Sequence, residues 1–144
     1  MPESIKHDAY YPHPPERVWR AIADGAALAQ WLMPNDFQPQ VGHRFTFRRE
    51  PMPAINFDGI IHCEVVACDP PHRLTYTWTG GGLNTVVSFR LEPEGEGTRL
   101  YLEHSGFDLS DATNRFAYDG MGPGWRSGLD TSLRKVIDAL AAPR

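Results

Sequence analysis

The chain has 144 residues, 41% hydrophobic and 22% charged, with a formal net charge of −4. That length and mix suit one globular domain over residues 1–144, and 13 Gly with 13 Pro stop short of a disordered composition. Apart from Lys6 and Lys135 the 14 basic residues are arginines, scattered without a stripe that could neutralise phosphates, which argues against a nucleic-acid partner. No run of about 18 apolar residues offers a membrane span. The opening "MPESIKHDAYYPHPP" has no apolar signal-peptide core, so a cytoplasmic location is expected, with Cys63 and Cys68 as reduced, packed thiols.

In chain order, residues 3–11 read as one additional strand. "PPERVWRAIADGAALAQWL" follows, with Pro14 and Pro15 suited to the first positions of a helix. Val18, Trp19, Ile22 and Ala26 recur at helical spacing, Asp24-Gly25 breaks the run, and residues 26–32 read as a second short helix. After Pro34 the period changes to two. "HRFTFRRE", "FDGIIHCEVVACDPP", "RLTYTWT", "TVVSFRLEP" and "TRLYLEHSGF" read as an antiparallel meander, joined by turns such as "GGGLN" and "EGEG". "GIIHCEVVAC" is apolar on both faces, so its inward parity stays open. Cys63 and Cys68 differ in parity and are expected on opposite faces.

A short helix is expected from Ser110. Then comes "YDGMGPGWRSGL", residues 118–129, which imitates the spacing of a phosphate loop. It has no strand before it and no lysine after it, so a hinge is the better reading, with residues 106–124 acting as a gate. From residue 124 to 142 Trp125, Leu129, Leu133, Val136, Ile137 and Leu140 form one apolar stripe. Such a helix would be roughly 27 Å long, enough to cross the sheet. Asp130 with Arg134, and Arg134 with Asp138, are expected as ion pairs along it. Gly128 either packs closely on the sheet or keeps space for a ligand.

These segments, in this order, resemble the helix-grip (START-like, SRPBCC) superfamily, and within it the branch of activator of heat-shock-protein-90 ATPase homologues. The resemblance rests on "PPERVWRAIADGAALAQWLMP", "VGHRFTF", "DGIIHCEVVACDPPHRLTYTW", "VVSFRLEPEGEGTRLYLEHSGF" and "GWRSGLDTSL", nearly the whole chain. It implies an α+β fold: a curved antiparallel sheet of about six strands grips a long C-terminal helix, with two short helices after the first strand. An apolar cavity between sheet and helix is also implied. The superfamily's members include carriers of lipids, hormones or polyketides, cyclases and other enzymes, and co-chaperone domains.

The candidate cavity residues are Trp31, His62, Tyr76, Trp78, Phe89, His104, Met121, Trp125 and Leu129. The aromatic ones are either plain core or pocket wall. His104 shares parity with Leu100 and Leu102, which makes it a bonded core histidine or a group that orients a ligand. No spacing of His and Cys suggests a metal site, and no cofactor is implied. The first functional reading is therefore binding of a small lipophilic or aromatic molecule. A cyclase- or hydrolase-type enzyme using His104, His62 and Tyr76 as an acid–base set is the second. A chaperone-associated interaction module, which would need a sizeable exposed apolar patch, is the third. The oligomeric state is left open.

Overall fold

The structure, a computed structural model, describes residues 3–141. Strand β1 (Glu3–Tyr11) leads into two short helices, α1 (Pro15–Ile22) and α2 (Gly25–Trp31). Strands β2 (Arg44–Arg48), β3 (Ile60–Asp69), β4 (Arg73–Gly80), β5 (Leu83–Glu94) and β6 (Gly97–Phe107) follow. A helical rod completes the described chain: α3 (Ala112–Ser127), a π-helical turn at Gly128–Ser132, and α4 (Leu133–Ala141). The strands form one antiparallel sheet in the order β1-β6-β5-β4-β3-β2, and the rod lies across its inner face. This is the expected helix-grip architecture. No described helix is long and apolar enough to cross a membrane.

Local chemistry explains most boundaries. Pro15 occupies the first position of α1, where its missing N–H costs nothing. The Asp24 carboxylate accepts from the Ala27 amide at 3.0 Å and caps α2. Gly81 and Gly82, with φ of 58° and 87°, form the two-residue turn between β4 and β5 that only such residues make without strain. Along β3, Ile61, Cys63 and Val65 point into the core, which settles the parity that its two-sided apolar pattern left open.

A bulge between Val65 and Ala67 then shifts the register, so that Cys68 pairs with the buried Leu74. Cross-strand partners share a face, so Cys68 returns to the side of Cys63. The expectation of opposite faces fails because one inserted residue reverses parity.

The rod departs from expectation in two ways. First, it starts at Ala112 rather than at 124, and residues 118–129 are helical throughout. Asp111 caps it by accepting from the Asn114 amide at 2.9 Å. None of Gly120, Gly122, Gly124 and Gly128 has a left-handed φ, so the glycines form no hinge loop. Gly122 instead lacks the Cβ that would clash with the ring of Pro123, which sits inside the helix.

Second, the expected ion pairs re-partner. Asp130 pairs with Arg126 at 2.7 Å, and Asp138 takes His13 at 2.8 Å. The Arg134 guanidinium lies 4.7 Å from the Tyr11 ring centre and donates to the Tyr10 carbonyl at 3.1 Å. For Arg134, contacts with β1 outcompete exposed pairs worth only about 0.3–0.5 kcal/mol. The Tyr11 hydroxyl donates to the Leu129 carbonyl at 2.7 Å, satisfying a backbone group inside the π-helical turn. Leu133, Val136 and Ile137 of α4 are buried, each worth roughly 2 kcal/mol in apolar burial.

Candidate functional site

Between the first half of the rod and the open end of the sheet lies a half-open cavity of about 580 Å³. Its floor is aromatic: Trp31 from the end of α2, Trp78 from β4 and Trp125 from α3, with Trp125 5.7 Å from Trp78 and 6.4 Å from Trp31 between ring centres. Its rim is formed by Arg49, Met52 and Phe57 from the β2–β3 connection, by Gly80, Gly81 and Leu83 at the β4–β5 turn, and by Phe116 on α3. Phe116 is 54% exposed at this rim.

One wall is nearly featureless. Gly120, Gly124 and Gly128 recur at four-residue spacing, so they stack on one face of the rod, and all three line the cavity. A Cβ added at Gly120 or Gly124 would meet nothing within 4 Å, and one at Gly128 would only touch the Trp31 ring at 3.9 Å. Close packing therefore does not account for these glycines. Each costs a helix about 1 kcal/mol relative to alanine. They leave that face of the rod bare towards the cavity.

The floor is held from behind. Trp31 donates its indole N–H to the Ala21 carbonyl at 2.9 Å, and Trp125 donates to Nδ1 of His104 at 3.0 Å. An indole nitrogen can only donate, so Nδ1 carries the lone pair and Nε2 the proton. Nε2 then donates to the Thr85 hydroxyl at 2.8 Å, which donates to the Trp78 carbonyl at 2.8 Å. His104 is fully buried, and burial pushes its pKa down to about 3. It is a neutral strut tying two of the floor tryptophans together.

The matching family model spans residues 12–138 and is described as Activator of Hsp90 ATPase homolog 1-like protein. The chain belongs to this family. Protein MLL2253 from Mesorhizobium loti is 35% identical, with 95% of this chain and 98% of that chain covered and a TM-score of 0.82. Protein BH1534 from Bacillus halodurans is 27% identical over 94% and 96% of the two chains, with a TM-score of 0.76. The Aha1 dimer from Colwellia psychrerythraea, at 21% identity, 96% coverage of each chain and a TM-score of 0.73, shares the fold. No curated protein matches the sequence significantly.

In this chain the nine sequence candidates fall into three places. Trp31, Trp78, Met121 and Trp125 line the cavity. Tyr76, Phe89, His104 and Leu129 are fully buried in the packing behind it. His62 lies on the outer face of β3, exposed, because the inward positions there are odd-numbered. His62, Tyr76 and His104 are thus not brought together, and the acid–base set they were to form is not assembled. Glu64 pairs with Arg44 at 3.2 Å and Glu103 is exposed on β6. Among the described residues no cluster of three His, Cys, Asp or Glu side chains is placed to hold a metal ion. Cys63 is buried, and burial first, then Asp36, pushes its thiol up to about 12.

Sequence reading missed Arg49, the β2–β3 connection and Gly120 and Gly124 as cavity wall. The four-residue glycine spacing was the available signal, masked by treating the stretch as a loop.

Behind the floor, the Tyr76 hydroxyl is buried with no hydrogen-bond partner among the described residues. Burial pushes the phenol well above its ordinary pKa. An unpaired buried hydroxyl is a liability. Tyr76→Phe is expected to raise stability by roughly 1 kcal/mol, seen as a higher urea midpoint at unchanged slope. A drop of that size would show that the hydroxyl is bonded in solution.

Proposed function

We propose that the protein binds a small lipophilic or aromatic molecule in the cavity between the sheet and the rod. The glycine face carries this reading: the rod gives up helix stability at Gly120 and Gly124 where nothing approaches within 4 Å. The volume of about 580 Å³ lies in the range of small-molecule sites, and the wall is apolar with few polar groups. Burial of ligand surface against Trp31, Trp78 and Trp125 supplies affinity at about 25 cal/mol per Å² before the costs of association. Native mass spectrometry of protein purified gently from its own cells tests this directly. An extra mass of a few hundred daltons, released on denaturation, is expected. A bare mass, together with no uptake of hydrophobic probes, would overturn the reading.

A further inference from the structure

We infer that the ligand is a hydrophobic acid, whose apolar body fills the cavity and whose carboxylate meets Arg49 at the rim. The inference rests on the cavity being a binding site and adds the chemical class of what enters it. Among the described residues that line the cavity, Arg49 is the only charged one. No described carboxylate lies within ion-pair distance of it; several other arginines, such as Arg20, Arg48 and Arg73, are also without an acidic partner among the described residues, but Arg49 alone among them lines the cavity. Its Nε donates to the backbone carbonyl of Glu50 at 3.4 Å, and its two terminal nitrogens have no partner among the described residues.

The backbone beneath this side chain is held in place. The Arg49 amide donates to the Gly59 carbonyl at 2.9 Å. Gly59, at φ 87°, approaches the Arg49 carbonyl so closely that no side chain could replace its hydrogen. Across the next turn the Met52 amide donates to the Phe57 carbonyl at 2.8 Å. The β2–β3 connection is therefore a tied strap that presents one planar cation beside apolar Met52 and Phe57.

Charge decides the ligand class. A neutral apolar ligand filling the mouth would strip water from the guanidinium and return nothing, and a cationic one would be repelled. A carboxylate accepts two parallel N–H bonds from the guanidinium and offsets that loss. Orientation follows as well, since the aromatic floor takes the apolar end and the rim takes the acid.

Calorimetric titration with matched probes tests the assignment: dodecanoate against dodecanol, and naphthylacetate against naphthylethanol. The wild-type protein is expected to prefer each acid over its alcohol by about tenfold or more, with the preference shrinking at high salt. Arg49→Gln should erase the preference by weakening the acids about tenfold, while the alcohols, freed from stripping water off the guanidinium, bind no more weakly than to the wild type. Arg49→Lys should restore part of it. Equal binding of acid and alcohol to the wild type, or a preference that persists in Arg49→Gln, would overturn the inference while the cavity reading stands. If none of the four probes binds the wild type, the cavity reading falls and this inference falls with it.

Discussion

Gly124→Leu is expected to make the protein more stable and less able to bind. The position is helical, lines the cavity, and has nothing within 4 Å of a built Cβ. Replacing glycine there gains about 1 kcal/mol of helix propensity, which for a domain of this size raises the melting temperature by about 3 °C. The leucine side chain extends from a cavity-lining position, so it takes up space the ligand needs. Affinity for a hydrophobic probe should fall at least about tenfold, a cost of about 1.4 kcal/mol.

Gly124→Ala is the matched control. It should give the same thermal gain and nearly unchanged binding, since one methyl removes little volume. The opposite signs in the leucine variant distinguish a glycine kept for a ligand from one kept for folding. Unchanged binding in Gly124→Leu would mean that the ligand sits elsewhere. Leu129, one of the cavity residues expected from the sequence, cannot serve as the position to fill: it is fully buried, and a larger residue there would overpack the core.

The second large effect concerns His104. His104→Ala should cost on the order of 4 kcal/mol, because it opens a hole and strands the Trp125 indole N–H and the Thr85 hydroxyl. The pH dependence separates the strut from mere bulk. Burial in the fold lowers the histidine from its ordinary value of about 6.5 to about 3, so the unfolded chain takes up a proton first as pH falls. The stability this group contributes is therefore present above about pH 6.5 and is lost as pH drops towards 3. Between about pH 7.5 and about pH 5 the loss should reach about 2 kcal/mol. His104→Gln can still accept from Trp125 and donate to Thr85 but cannot titrate, so its stability should change less over that interval by the same amount. Identical slopes in the two proteins would show that His104 is not held neutral.

Much of this architecture is written in short-range patterns. Alternation in "RLTYTWT" gives β4 its inward Leu74, Tyr76 and Trp78 because a pleated strand repeats every second residue. Asp24 before Gly25 and the paired prolines before Glu16 mark helix starts because orphan amides need an acceptor or a proline. The order of segments carried the family resemblance, and with it the expectation of an apolar cavity.

Other features depend on partners distant in the chain. The polarity of β3 could not be read from "GIIHCEVVAC", since only its neighbours β2 and β4 and the bulge at Val65 decide which side meets the core. The partners of Arg134 and Asp138 depend on β1 and the segment after it lying alongside the rod, which replaces pairs four residues apart with contacts more than a hundred residues apart, while Asp130 turns to Arg126 on its other side.

By itself, then, the sequence determined the helix-grip fold and its family, and it named the aromatic set from which the cavity floor is drawn. Local propensity and periodicity suffice for that. Only the tertiary structure decided that the glycine-rich stretch is a smooth helix wall, that His104 props the floor rather than faces the cavity, and that Arg49 stands at the rim without an acid. Each of these is a statement about what lies across empty space from a side chain, and only the packing of distant segments defines that.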